Sequence, residues 1–240
     1  MATLLQRITA EFTGTAFLLA AVVGSGIMGE RLAGGNVAIA LLANTLATGA
    51  ALVALILALG PISGAHLNPA VTLADATQGG LPWKLVPAYI AAQCSGALTG
   101  VYAAHLMFGQ AVFQVSMHIR SGPSQLFSEL VATFGLLMVI WGCVRARPAA
   151  VPFAVGAYIT AAYWFTASTS FANPAVTIAR CFTNTFSGIR PADAPGFIVM
   201  QFLGALAATA LFRWLAPVRP ETASKVLVPH PAIEEMAFRS

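Results

Sequence analysis

His66-Leu67-Asn68-Pro69-Ala70-Val71-Thr72-Leu73-Ala74-Asp75 has a near copy in Phe171-Ala172-Asn173-Pro174-Ala175-Val176-Thr177-Ile178-Ala179-Arg180. Asparagine is a favoured helix N-cap because its side-chain oxygen accepts an orphan N–H of the first turn. A proline directly after it takes the first helical position, where no N–H is missed. Each Asn-Pro-Ala therefore opens a helix. The apolar run behind each proline lasts about ten residues, or ~15 Å, half of a ~30 Å hydrocarbon core. Two such half-helices meeting tip to tip span one membrane. Paired interrupted segments at corresponding places in two halves of a chain point to a solute site near the bilayer midplane. Ordinary surface helices with Asn-Pro caps explain one copy; the shared Asn-Pro-Ala-Val-Thr in so apolar a chain argues against that reading for two.

The surrounding composition sets the class. Hydrophobic residues make up 58% of the chain and charged residues 8%, with a mean hydropathy of +0.80, whereas soluble domains carry about 25% charged residues. Apolar runs near 8–27, 37–59, 85–106, 126–144, 150–168 and 196–216 are each long enough, or nearly so, to cross a bilayer as a helix. The expected fold is an all-α membrane protein, with six transmembrane helices plus two half-helices in an inverted 3+3 repeat around a central pore. No small-residue cleavage pattern follows the first run, which reads as a retained span.

These spans put Arg7, Lys84, Arg145, Arg147, Arg213, Arg219, Lys225 and Arg239 on one side and Arg31, Arg120, Arg180 and Arg190 on the other. The positive-inside rule then places both termini in the cytoplasm and fits an inner or plasma membrane. The pI of about 9.3 does not signal nucleic acid, because the basic residues are scattered at helix ends and form no stripe; membrane lipid is the expected surrounding. Cys94, Cys143 and Cys181 have no metal-ligand spacing and read as small buried hydrophobes. No metal, cofactor or catalysis is expected, since no nucleophile–base pairing or phosphate loop stands out.

The repeat extends beyond the central motif. Glu11-Phe12-Thr13-Gly14-Thr15 answers to Glu129-Leu130-Val131-Ala132-Thr133, and Gln93-Cys94-Ser95-Gly96-Ala97-Leu98 to Gln201-Phe202-Leu203-Gly204-Ala205-Leu206. Each half holds three full spans, an odd number, so the second is threaded upside down relative to the first. Residues 1–110 form the first repeat, 111–124 an outer linker, 125–216 the second repeat, and 217–240 a proline-rich, loosely ordered cytoplasmic tail. A carboxylate inside a span costs about 2.5–3.5 kcal/mol on insertion scales. Glu11 and Glu129 are therefore expected to accept backbone N–H groups of the irregular loops before the half-helices. A proton relay is disfavoured for want of a partner to continue it. Gln93 and Gln201 read as amides serving the same loops, His66 as a loop hydrogen-bonder with gating as its alternative, and Gly96 and Gly100 as a close helix crossing.

The doubled Asn-Pro-Ala, with Ser63-Gly64-Ala65-His66 before the first copy, resembles the aquaporin and aquaglyceroporin (major intrinsic protein) family over roughly residues 7–216. The resemblance implies a pore bordered by Asn68, Pro69, Ala70, Asn173, Pro174 and Ala175, the same loop-supporting role for the two glutamates, and a homotetramer with one pore per subunit. It also implies an outer filter made of an aromatic ring and an arginine three residues after the second asparagine. Here that residue is Val176, and the position often filled by a bulky aromatic in the second span is Thr48. Ser170 is counted with the filter. The fifth-span wall is Ala161, Ala162 or Tyr163, depending on where a gap in the second half falls, and Tyr163 is carried as the candidate.

Losing Arg and gaining Thr and Val implies a wider outer filter. Arg180 lies four residues beyond Val176, on nearly the same helix face. It reads either as an electropositive pore mouth or as an interfacial anchor, with Asp75 its counterpart at the cytoplasmic mouth. Two half-helix N-termini at the midplane each contribute roughly half a positive charge and oppose cations. The expected function is passive passage of glycerol-like polyols, metalloid hydroxides such as arsenous acid, and water. The alternatives are a gradient-coupled secondary transporter, against which the lack of an intramembrane charge pair counts, and a poorly conducting structural protein.

Overall fold

A computed structural model of the protein describes residues 2–216, so the expectations for 217–240, including Arg219, Lys225 and Arg239, fall outside the described residues. Eight α-helices lie within them: α1 (Leu4–Leu32), α2 (Val37–Ser63), α3 (Pro69–Thr77), α4 (Val86–Met107), α5 (Pro123–Ala146), α6 (Val151–Phe165), α7 (Pro174–Arg180) and α8 (Ala194–Leu215). By length and composition α1, α2, α5 and α8 suffice to cross a membrane. Helices α4 and α6 complete six spans, and α3 and α7 are the two half-helices of a multi-pass membrane protein.

Local chemistry sets the ends. Thr3 and Gln6 form a reciprocal capping box at α1, and the Asn36 side chain accepts the N–H groups of Ala38 and Ile39 at α2. Helix α2 stops at Gly64, whose φ of 91° is the left-handed conformation glycine adopts without strain. Prolines sit in the first turns of α4, α5, α6 and α8. Helix α6 ends at Phe165, earlier than the apolar run to 168 suggests, because Thr166 turns into extended backbone and begins the approach to α7.

Packing repeats in the two halves. Helix α1 lies against α2 and α4, α5 against α6 and α8, and α2 meets α6 where the halves join. Glycine permits the closest crossings. A Cβ on Gly96 would overlap the Phe12 carbonyl, one on Gly100 the Ala16 carbonyl, and one on Gly204 the Leu130 carbonyl. Gly96 and Gly204 are equivalent in the repeat, as are Phe12 and Leu130, so both halves use one crossing. The outer surface carries exposed Leu42, Leu46, Leu57, Phe153, Trp164 and Leu206, while Glu11, Gln93, Glu129 and Gln201 are fully buried. That distribution suits lipid outside and a polar axis within.

Gly96→Val therefore forces α1 and α4 apart and should cost about 1–3 kcal/mol or more. Gly142→Ala, whose Cβ would make only ordinary contact with Phe212, should be neutral. Thermal unfolding of the two variants in detergent checks the contrast; equal midpoints would contradict it.

Candidate functional site

Each half-helix is capped as its sequence dictates. Asn68 and Asn173 are extended, and their side-chain oxygens accept Ala70 N–H at 2.8 Å and Ala175 N–H at 3.0 Å. Their amide nitrogens then cross between halves. Asn68 Nδ2 donates to the Ala172 carbonyl at 2.8 Å and Asn173 Nδ2 to the Leu67 carbonyl at 2.7 Å. The two motifs are thus bonded tip to tip, and each amide keeps its second N–H for the cavity beside it.

The loops leading to these tips are strained. Ala65, Leu67, Ser170 and Ala172 have φ between 46° and 50°, a left-handed conformation that costs a non-glycine residue roughly 1–2 kcal/mol. Buried carboxylates hold them. Glu11 accepts His66 N–H at 3.0 Å, Leu67 N–H at 2.7 Å, the Ser63 hydroxyl at 2.7 Å and Gln93 Nε2 at 2.8 Å. Glu129 accepts Phe171 N–H and Ala172 N–H at 2.9 Å each and Gln201 Nε2 at 2.6 Å. The glutamines continue the chain: Gln93 and Gln201 donate to the hydroxyls of Thr72 and Thr177, which donate to the carbonyls of Asn68 and Asn173.

A cavity of about 60 Å³ runs past both tips. Asn68, His66 and Val71 border it from one half, Asn173, Ser170, Val176 and Arg180 from the other, and Leu18, Val22, Leu136 and Ile140 supply apolar wall. Val71 and Val176 occupy equivalent positions, three residues after each asparagine. Thr48 and Tyr163 also line the cavity, with the Tyr163 hydroxyl donating to Thr48 Oγ1 at 3.3 Å along the α2–α6 seam. Of the three fifth-span candidates, Tyr163 borders the cavity, Ala162 is buried in packing and Ala161 faces outward.

Arg180 is 2% exposed and borders the cavity. Its guanidinium stacks 3.4 Å from the Phe171 ring centroid, donates through Nε to the Ser187 carbonyl and leaves Nη1 without a protein partner. Asp75 is placed differently from its expected position at a mouth: it is buried, does not border the cavity, and faces His66 Nε2 at 3.5 Å. The sequence reading placed Asp75 at the cytoplasmic mouth, away from His66; the two form an ion pair when His66 is protonated. The loop path that folds His66 back over α3 brings them together. Arg120 is a further residue that sequence missed. From the linker it reaches the carbonyls of Gly188 and Ser168 and the Thr169 hydroxyl, and lies 5.2 Å from the Phe171 ring. No periodicity announces contacts over such separations. Tyr89 and Phe197, four residues before Gln93 and Gln201, meet His66 and Phe171 with ring centroids 5.5 and 5.2 Å apart, the first pair tilted and the second edge-on; that repeat was legible in the spacing.

The tip-to-tip motifs, the paired carboxylates and the cavity agree with what sequence comparison finds. The chain matches the major intrinsic protein family over residues 1–151 and 145–237. It belongs to that family. Among major intrinsic proteins, aquaglyceroporin AqpS of Rhizobium meliloti (strain 1021) is 57% identical over 218 residues, 90% of this chain and 93% of that protein. Aquaporin NIP1-3 of Oryza sativa subsp. japonica is 38% identical over 180 residues, 72% of this chain and 62% of the rice protein. The X-ray structure of the aquaglyceroporin from Plasmodium falciparum superposes with a TM-score of 0.70 at 23% identity, covering 90% of this chain and 98% of that one, and shares the fold. Major intrinsic proteins are membrane channels rather than enzymes.

Replacing Glu11 or Glu129 by Gln turns an acceptor oxygen toward backbone donors as an NH2 group, at about 1–3 kcal/mol for each buried donor left unpaired. Both variants should lose thermal stability and solute permeability together. Undiminished permeability in either would show that the carboxylates do not hold the loops.

Proposed function

We propose that this protein is a passive channel for small uncharged solutes, passing glycerol-like polyols, metalloid hydroxides such as arsenous acid, and water. The observation that carries the reading is the lining itself. Apolar wall is interrupted by Asn68 and Asn173, each with a spare amide donor, and by the hydroxyls of Thr48, Tyr163 and Ser170. A neutral hydroxylic solute can exchange its hydration for these groups one contact at a time. The names of the relatives, an aquaglyceroporin at 57% identity foremost, support the same solute class.

The filter is proposed to consist of Thr48, Tyr163, Ser170 and Val176, wider than one with arginine at the valine position. Arg180, one turn further along α7, is proposed as an electropositive pore mouth. Its unpartnered Nη1 and its place on the lining favour that role over a lipid anchor. The basic residues favour cytoplasmic termini and an inner or plasma membrane, which makes the α7 end extracellular. A homotetramer is proposed from family membership. Gradient-coupled transport gains the His66–Asp75 pair as a possible coupling element, yet the half-helix tips are bonded directly to each other, a fixed rather than a rocking arrangement.

Stopped-flow light scattering on proteoliposomes tests the filter with water, glycerol and arsenous acid. The native protein should pass all three, and Val176→Arg should slow glycerol and arsenous acid several-fold while sparing water. An identical response of both proteins to every solute would remove Val176 from the filter.

A further inference from the structure

Positive charge and spare hydrogen-bond donors gather in the α7 half of the pore without an acid to match them. Arg180 is 2% exposed, and its guanidinium lies over the Phe171 ring. Nε is spent on the Ser187 carbonyl, and neither terminal nitrogen has an acceptor among the described residues. Arg120 brings a second guanidinium to 5.2 Å from the same ring, with its nitrogens on the carbonyls of Ser168, Phe186 and Gly188. No carboxylate comes within ion-pair distance of either arginine among the described residues. Asp193 accepts the Arg120 backbone N–H but pairs with Arg190, and the Glu129 oxygens are taken by Phe171 N–H, Ala172 N–H and Gln201.

Ser170, directly before Phe171 in the chain, is also 2% exposed, borders the same cavity as Arg180 and has an unpartnered hydroxyl. Asn173 adds the amide N–H left over from its bond to the Leu67 carbonyl. Buried polar groups are as a rule hydrogen-bonded, and buried charges paired; on this lining a hydroxyl and a guanidinium are neither. The equivalent positions in the α3 half carry Ala65 and Asp75, which supply no such donors.

We infer that Arg180 and Ser170, with the spare Asn173 amide, form a binding site for a small planar monovalent oxyanion in the α7 half of the pore, and that an anion held there competes with neutral solutes. The donor set selects the ligand. A guanidinium has donors only, keeps its charge and presents them in one plane, a match for coplanar oxygens. A polyol can also accept from these groups, but only an anion balances the charge that Arg180 carries into the lining. Arg120, its donors engaged by backbone carbonyls, contributes field rather than contact. The cavity of about 60 Å³ favours an anion of nitrate size over bulkier ones. Asn173, Val176 and Arg180 border one cavity, so the bound anion stands in the path of the solute.

This inference rests on the channel reading, and one experiment separates the two. Glycerol permeability of proteoliposomes is measured as sodium nitrate replaces sodium gluconate, an anion too bulky for the cavity, at constant ionic strength and osmolarity. Nitrate should slow glycerol entry through the native protein several-fold and saturably, and Arg180→Gln should abolish that sensitivity whatever its own permeability. If Arg180→Gln does not yield folded protein, Ser170→Ala carries the test, since Ala65 and Ala172 already adopt the same left-handed backbone in these loops; its sensitivity to nitrate should fall several-fold. A conducting native protein equally permeable in both salts, or a variant as sensitive to nitrate as the native protein, overturns the inference alone. No permeability above empty vesicles in either salt overturns the channel reading and the inference with it.

Discussion

The architecture depends on satisfying backbone donors at membrane depth. Bringing two half-helix tips together obliges the chain to run as irregular loop inside the hydrocarbon region, where no water completes its hydrogen bonds. Glu11 and Glu129 answer that constraint from the full spans α1 and α5, each accepting two consecutive loop N–H groups. Charge-assisted bonds of this kind are roughly twice as strong as neutral ones, enough to hold left-handed residues such as Leu67 and Ala172. With those residues held, the carbonyls of Leu67 and Ala172 meet the opposite asparagine amides, and the pore acquires its polar midpoint.

The same constraint explains why the repeat is so regular where it is regular. Glu, Gln, Thr and Asn form one unbroken chain of donors and acceptors in each half, and a change in any member leaves a buried group unpaired. Outside that chain the halves are free to diverge, and they do. His66 and Asp75 stand where Phe171 and Arg180 stand, so the two half-helices carry different chemistry at equivalent positions. The glycine crossings at Gly96 and Gly204 bind the same freedom sterically, because neither helix pair tolerates a side chain there.

Much of this was legible in the sequence because it is local or repeated. Asn-Pro-Ala states its own capping, and the paired glutamates and glutamines announce themselves by recurring in order. The fifth-span lining residue was not legible: it depends on where the second half is shortened, and helix α6 ends three residues before its apolar run does. Asp75 illustrates a different limit. Nine residues separate it from His66, and only the path of a strained loop decides that the two meet rather than that Asp75 faces a mouth. Arg120 lies further still, reaching loops 48 and 68 residues away, a distance across which spacing carries no information.

The central claim is that the bonded half-helix tips border an open path rather than a carrier site. Initial rates of glycerol entry into proteoliposomes, across rising glycerol gradients with and without imposed proton or sodium gradients, test it most directly. Rates that rise in proportion to the gradient and ignore the ions are the expected result. Saturation at modest glycerol together with acceleration by an ion gradient would contradict the account and make the protein a coupled transporter.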